Sequence, residues 1–486
     1  LYIAVDSTNE NFLVRKLGQD GKSSITKMPF RASLFIASEK ASKEYIGFKT
    51  GKHLKRFDFF SRQNYWDFKN KMKDVGIYGD ISPIFQFIPK LNIRSENISF
   101  LRPWGLDIEV YSEKEFPYPE RAIIYPIVSL TLGDLRKKKY YTFVYDMDGK
   151  CTLKSQPNWE IFVYRSEEDM MNSFSKFWRQ NIANIHILTG WNINKFDIPY
   201  IIRRMNYLFT GDPEKICKEV RLLSPFRNIK NKTTKYSETE YIIAGIPILD
   251  YLAVFKKFNF QSRRSFKLEN IAQEELGHGK LENPYSSLHE LYRKDINTFI
   301  NYNRKDTELL EEIDNKFNYL NFMITIALIT KINYENVFSP IRCWESLIYN
   351  KLIEQNIVTN PARRFTKTRE YLGAYVKLPE TKMYRDIISY DLVQLYPSVI
   401  RAANISPETL IEGDYEENVT IEKFMLDEFE SKKAHKNNQI LLPTGNYYKK
   451  EPQGVYPILM EELFFKRIAI KEQIKEKERE LKKLLQ

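Results

Sequence analysis

Between residues 102 and 318 the apolar spacing switches repeatedly between period two and period 3.6, and this limits the fold more than any other feature of the chain. Strands alternating with helices pack as a sheet flanked by helices, an α/β arrangement. Residues 123–134 (IIYPIVSLTLGD) and 138–146 (KKYYTFVYD) read as paired strands. Residues 165–182 (RSEEDMMNSFSKFWRQNI) read as an amphipathic helix, and 185–192 (IHILTGWN) as a buried strand after it. The flanks differ. Residues 1–100 mix short strands with basic loops such as 49–56, and 319–362 are helical. Residues 383–400 (MYRDIISYDLVQLYPSVI) read as a strand running into a Pro-marked turn, and 459–486 show helical periodicity with dense mixed charge. At 486 residues three or four domains are expected, so the fold class is α/β and α+β multidomain.

Charge and composition narrow the partners. The formal net charge of +12 suits a polyanion. No apolar run approaches the roughly 20 residues of a membrane span, so no membrane partner is expected. The first residues alternate like a strand and lack the layout of a signal peptide. The chain opens on Leu1 rather than Met, which reads as a piece of something longer. Cys151, Cys217 and Cys343 are too far apart for a disulfide framework or a zinc knuckle, and the five histidines do not cluster. A metal here is therefore expected to be hard and held by oxygen. The compartment reads as reducing cytosol.

Three acidic signals stand out. Asp107 and Glu109, in WGLDIEVYS, are two apart on a strand and point to one face. Paired carboxylates repel, and a divalent cation between them supplies a reason to place them there. An exposed strand face with two solvated acids has the same pattern. Asp197, in LTGWNINKFDIPYIIRR, opens a helical run and reads equally as a cap. Tyr302 and Asp306, in FINYNRKDTELL, are four apart and share a helix face. Lys195 and Lys305 flank these acids and read as solvated charges, and no histidine lies near the motifs in sequence.

Further along, Asp391 is expected to end a buried strand containing Ile387 and Ile388, where a naked carboxylate is costly unless it meets metal or water. In REYLGAYV the small residues Gly373 and Ala374 follow Tyr371 and permit close backbone approach, as an ordinary turn also would. Arg467 and Lys471 lie four apart on one helix face, a spacing shared by any solvated charged helix or coiled coil. Residues 228–245 read as strand, polar tip, strand.

The order and spacing of the three acidic signals resemble the exonuclease motifs of family B DNA polymerases. TGWNINKFDIPYI, ILDYLAVFKKFNF, SFKLENIAQ and YNRKD are similar to the replicative polymerases of large tailed bacteriophages, and the resemblance runs from about residue 95 to 471. It implies a ribonuclease H-like 3′→5′ exonuclease domain with a mixed sheet. There Asp107, Glu109, Asp197 and Asp306 would hold two Mg²⁺ ions, with Mn²⁺ as a substitute, and Tyr302 would orient the attacking water. IISYDLVQLYPSVI resembles polymerase motif A, with Gln394 where the family has Ser. The resemblance implies that Asp391 and the Leu392 carbonyl bind the polymerase metals. Gln394, Leu395 and Tyr396 would contact the nucleotide, the Tyr396 ring excluding a ribose 2′-OH. REYLGAYV resembles the Y-x-G-G/A element that links the two activities, so Tyr371, Gly373 and Ala374 would touch DNA. FFKRIAIKEQ resembles the start of the fingers, where Arg467 and Lys471 would clamp the triphosphate. For residues 228–245 the implied role is to pass a primer end between sites; a plain surface hairpin reads the same.

The expected division is an N-terminal domain at 1–101 rejoined by 319–362, an exonuclease domain at 102–318, a partial palm at 363–452 and the start of a fingers helix at 453–486. The K-x-x-x-N-S-x-Y-G and D-T-D motifs of the family do not occur in the sequence. The expectation is an amino-terminal portion of a polymerase, either completed by a second polypeptide carrying the rest of fingers, palm and thumb or cut short by truncation. The implied partners are primer–template DNA, a single-stranded 3′ end, dNTP and, through the part beyond this chain, a sliding clamp; the implied place is the cytoplasm, that of the host if viral. A stand-alone 3′→5′ exonuclease and an inactive DNA-binding remnant are the alternatives.

Overall fold

A computed structural model describes residues 1–91, 95–233, 239–361, 380–416 and 437–485, with positions 378, 419 and 423. They fall into two compact units. The first comprises Leu1–Ala32, Phe59–Asp67 and Ser82–Ser346; the second comprises Ser33–Asp58, Phe68–Ile81 and Leu347–Gln486. The architecture is mixed α/β and multidomain.

The first unit opens with an antiparallel meander of β1 (Tyr2–Ser7), β2 (Asn11–Leu17) and β3 (Ser23–Pro29). Its main sheet has six strands: β4 (Pro103–Val110), β5 (Ile127–Asp134), β6 (Lys139–Tyr145), β7 (Trp159–Tyr164), β8 (Ile187–Gly190) and β9 (Ile248–Asp250). They lie in the order β7-β6-β5-β4-β8-β9. The β4–β5 and β5–β6 pairs are antiparallel, whereas β4–β8, β8–β9 and β6–β7 are parallel. The strands expected at 123–134 and 138–146 are β5 and β6.

Helices cover this sheet on both faces. Helix α1 (Glu167–Asn181) starts where the Ser166 side chain accepts from the Asp169 N–H, and its acidic first turn suits the helix dipole. It buries Met170, Met171, Phe174 and Trp178. Helix α2 (Asp197–Thr210) buries Ile198, Ile201, Ile202 and Met205 and stops at Gly211, whose φ of 76° is left-handed. Both pack into one core with Trp104, Leu106, Ile108, Leu130 and Leu132. Helix α3 (Ile296–Phe317) is capped by Asp295 and covers the other face, where Phe299 and Ile300 meet Val128, Tyr140, Val144 and Trp159. Because strand side chains alternate, residues 105, 107 and 109 face α3 while 104, 106 and 108 face the first core.

Helix α3 lies close against the sheet at two glycines. Gly105 and Gly133 are opposite one another across β4 and β5. A Cβ added at either would come within 2.8 Å of the Thr307 methyl. The missing side chains form a seat for Thr307, which brings its neighbour Asp306 down beside the carboxylates of β4. Helix α4 (Tyr319–Thr330) follows, and the chain then returns to β1: Asn333 exchanges two hydrogen bonds with the Val5 backbone, at 3.0 and 2.8 Å.

In the second unit, Ile357–Val358, Tyr45–Gly47, His53–Phe59 and Ala32–Ala37 form one sheet in that order, and Leu410–Tyr415, Asn446–Lys449 and Gln439–Leu441 form another. Helix α5 (Leu395–Ala402) lies against α6 (Val455–Leu485). Glu408 accepts from the Val455 N–H at 2.6 Å and Arg401 pairs with Glu461 at 3.0 Å, so the base of α6 is anchored. From Phe465 onward its described side chains are exposed.

The expected strand at 383–400 is not formed. Residues 387–390 have no regular structure, and Ile387 and Ile388 are 76% and 74% exposed rather than buried. A strand exists only beside a hydrogen-bonded neighbour, and no described strand runs alongside. The Pro-marked turn is the first turn of α5, a position where Pro397 costs no hydrogen bond. Among the described residues no helix is long and apolar enough to cross a membrane.

Candidate active site

Asp107 and Glu109 project from β4 toward α3, each half-buried. Asp306 comes from α3 and is 5% exposed. One oxygen from each of these three carboxylates lies within 4.8 Å of the other two. Asp197 is outside this trio but touches its strand: its Oδ1 accepts from the backbone N–H of Ile108, between the two β4 acids, at 3.0 Å. Asp197 is therefore more than a helix cap. The helix begins without side-chain capping at Phe196, and Asp197 is 3% exposed. Asp250 holds the turn before α2, accepting from the N–H groups of Asn192 and Asn194 at 3.2 Å each.

This crowding shifts the acids. Burial, then the charges of Asp306, Asp197 and Glu109, hold the Asp107 carboxyl well above the usual carboxylate range. Burial and Asp306 push Glu109 up to about 8. Burial pushes Asp197 up to about 7, against the bond from Ile108 that favours its charged form. Burial also raises Asp306, opposed by Lys280, whose ammonium pairs with Asp306 Oδ2. Burial alone would lower Lys280; Asp306, Tyr302, Glu109 and Asp107 around it raise it above the ordinary lysine range instead. The Lys280 Nζ stands 4.9 Å from the centre of the Tyr302 ring. Burial raises the Tyr302 phenol to about 12, so it acts as a neutral hydrogen-bonding group near neutral pH.

The acids line a cleft of about 920 Å³ whose walls include Phe116, Trp191, Phe196, Phe266 and Tyr302. His289 also lines it, although no histidine lies near the motifs in sequence. Lys280 and Asn303 touch the acids and were not among the residues expected from the sequence. Lys280 lies 26 positions before Asp306, with nothing local to mark it. Asn303 sits inside the third motif, but a polar residue there reads as solvated until α3 is seen to bury it completely. Lys305, expected to be solvated, pairs with Glu312 at 3.0 Å.

The residues expected to contact nucleotide are in the second unit and are not gathered. Asp391, Leu392, Leu395 and Tyr396 are exposed, Tyr396 by 80%, and Gln394 takes a left-handed φ of 51° before α5. Asp391 belongs to no cluster of acids among the described residues. Arg467 and Lys471 are exposed on α6. Tyr371, Gly373 and Ala374 lie outside the described residues, as does the tip of the hairpin formed by Ile229–Thr233 and Thr239–Ile243.

Known proteins give a consistent pattern. The exonuclease-domain model of DNA polymerase family B matches residues 71–271, and the model for DNA polymerase family B matches residues 339–486. The chain is 29% identical to the DNA-directed DNA polymerase of Escherichia phage RB69 over 499 residues, covering 96% of this chain and 53% of the relative. It is 29% identical to that of Enterobacteria phage T4 over 497 residues, with 96% and 53% covered. The DNA polymerase catalytic subunit of human herpesvirus 8 is 28% identical over 325 residues, 64% of this chain and 31% of the relative. The chain spans about half the length of the phage relatives it matches.

Proposed function

The chain belongs to the DNA polymerases of family B, and from that premise we propose that its first unit is a 3′→5′ proofreading exonuclease of ribonuclease H-like fold and that its second unit carries the first half of a polymerase site. The observation that carries the exonuclease reading is the convergence of Asp107, Glu109 and Asp306 within 4.8 Å, with Asp197 bonded to the strand between them. Such a group fits a divalent cation. Asp306 Oδ1 is buried without a hydrogen-bond partner, and three mutually repelling acids have one ammonium among them. Asp107, Glu109, Asp197 and Asp306 would hold Mg²⁺, two ions per site, or Mn²⁺ in its place. When bound, the cations supply Lewis-acid activation of water and neutralise charge on the leaving 3′ oxygen.

The chain's own groups do the rest. The neutral Tyr302 hydroxyl orients the attacking water. Lys280 balances Asp306 until the acids take up cations. The aromatic walls offer stacking faces to the bases of a frayed single strand. The test is hydrolysis of end-labelled single-stranded DNA with Mg²⁺. EDTA should stop it, and Asp107→Ala with Glu109→Ala should slow it by orders of magnitude. Unchanged hydrolysis by the double variant would remove this assignment.

For the second unit the proposal keeps Asp391 and the Leu392 carbonyl as metal-binding, Gln394, Leu395 and Tyr396 as nucleotide-binding, Arg467 and Lys471 as a triphosphate clamp, and Tyr371, Gly373 and Ala374 as DNA-contacting. The anchored base of α6 supports its reading as the start of the fingers. The return of Asn333 to β1, and of Ile357–Val358 to Tyr45–Gly47, supports an N-terminal domain rejoined by 319–362. Primer–template DNA, dNTP and a second polypeptide with the D-T-D motif are the proposed partners, a sliding clamp would act through that second part, and the host cytoplasm is the proposed place. One observation favours a second reading, an exonuclease that does not polymerise: the hydrolytic acids are assembled, whereas Asp391 is exposed and belongs to no acidic cluster among the described residues.

A further inference from the structure

We propose that Asn303 is a positioning residue for the hydrolytic site, fixing the Asp107 carboxylate through a one-way chain of buried hydrogen bonds; the inference rests on the exonuclease reading above. Asn303 is fully buried, and its Nδ2 donates to Asp107 Oδ2 at 2.6 Å. Its Oδ1 accepts from the Ser129 hydroxyl at 2.8 Å and from the Thr131 hydroxyl at 2.5 Å. Thr131 Oγ1 lies 2.9 Å from Thr142 Oγ1, which accepts from the indole N–H of Trp159 at 2.9 Å. Ser129, Thr131 and Thr142 are 0% exposed and Trp159 is 1% exposed.

The direction of this chain follows from what each group can do. An indole N–H only donates. Thr131 spends its proton on Asn303, so Thr142 must donate to Thr131 and accept from Trp159. Protons thus point from Trp159 through Thr142 and Thr131 to Asn303, and from Asn303 to Asp107. A flipped Asn303 amide would set its carbonyl against the carboxylate and leave the Ser129 and Thr131 hydroxyls without this acceptor. The orientation is therefore fixed by the acceptor-only carboxylate at one end and the two donating hydroxyls at the other, and aligned chains of this kind polarise one another. The sheet register builds the chain: Asp107 is opposite Thr131, and Thr131 is opposite Thr142. With Oδ2 tied to Asn303, rotation of the carboxylate is restrained and its lone pairs are presented to Glu109 and Asp306. Groups that orient metal ligands from behind typically change metal affinity by about 10–100-fold when removed.

The experiment uses the whole chain and Mn²⁺ alone as probe, with binding followed by the paramagnetic resonance of free Mn²⁺ and hydrolysis measured separately. Asn303→Leu should weaken Mn²⁺ binding by about tenfold or more. Asn303→Ser is too short to reach from the two hydroxyls to Asp107, adds no charge, and should weaken binding likewise. In an Asp107→Ala background neither substitution should add a further loss. Both variants should keep the far-UV dichroism and DNA affinity of the unaltered chain. Normal Mn²⁺ affinity in Asn303→Leu and Asn303→Ser, or a loss that adds in full to that of Asp107→Ala, would overturn the inference while leaving the exonuclease reading intact. Failure of the unaltered chain to bind Mn²⁺ would overturn both.

Discussion

Single residues divide by whether their partners are near in sequence. Asp107 and Glu109 were legible because the strand period alone puts them on one face, and Tyr302 and Asp306 because the helix period does the same. Asp197 was ambiguous, since a cap and a ligand share a position, and its bond to the Ile108 N–H across the fold has no local mark in the sequence. Lys280 could not be read at all: its partner is another element, and the sequence carries no period linking them. The same holds for His186, whose burial shows only in the fold. Its Nδ1 accepts from the Arg102 N–H at 3.0 Å, and burial, then Arg15, lowers the imidazole to about 3. An unfolded histidine titrates near 6.5. Its neutral form thus stabilises the fold fully above about pH 6.5, and that contribution is lost as pH falls toward 3. From pH 6.5 to 5 the loss is roughly 2 kcal/mol. Urea unfolding at pH 7 and pH 5 should show this extra acid sensitivity in the unaltered chain and not in His186→Gln; identical pH dependence would mean that His186 is already protonated or exposed in the fold.

At the scale of elements, the alternation of strands and helices over residues 102–318 was legible because the amphipathic patterns are long and repeated. The strand expected at 383–400 was not formed, because a strand depends on a neighbour that apolar spacing cannot supply. The depth of α3 on the sheet was also hidden. Gly105 and Gly133 carry no mark of this in the sequence, and their purpose appears only when Thr307 is found over both. This seat makes a reciprocal prediction. Gly105→Ala should lift α3, displace Asp306 from Asp107 and cut 3′ hydrolysis, and a shift near 1 Å costs on the order of 10²-fold. Thr307→Ser removes the methyl that the new Cβ would strike, so Gly105→Ala with Thr307→Ser should recover most of the rate. Rate measurements on the single and double variants decide the matter; a double variant no better than Gly105→Ala alone would show that the seat does not set the geometry.

For the whole molecule, the net charge of +12 and the absence of clustered histidine or cysteine pointed to a polyanionic partner and hard metals before any fold was known. How the chain partitions was less legible, since residues 33–58 and 68–81 join a unit otherwise built from residues after 346. Such exchanges come from contacts between distant segments, which composition does not record. If phosphate contacts hold DNA to this surface, single-strand affinity should fall roughly 20-fold between about 50 and 200 mM salt for three contacts. Anisotropy titrations across that range would show it, and a flat response would exclude a phosphate-lined path. The most direct measurement follows one primer, labelled at its 5′ end and annealed to a longer template, incubated with the chain, Mg²⁺ and all four dNTPs. The expected result is stepwise shortening from the 3′ end with no product longer than the primer, because Asp107, Glu109 and Asp306 are assembled and Asp391 belongs to no acidic cluster among the described residues. A primer that stays intact would contradict the exonuclease site, and one that lengthens would reveal a second polymerase carboxylate within these 486 residues.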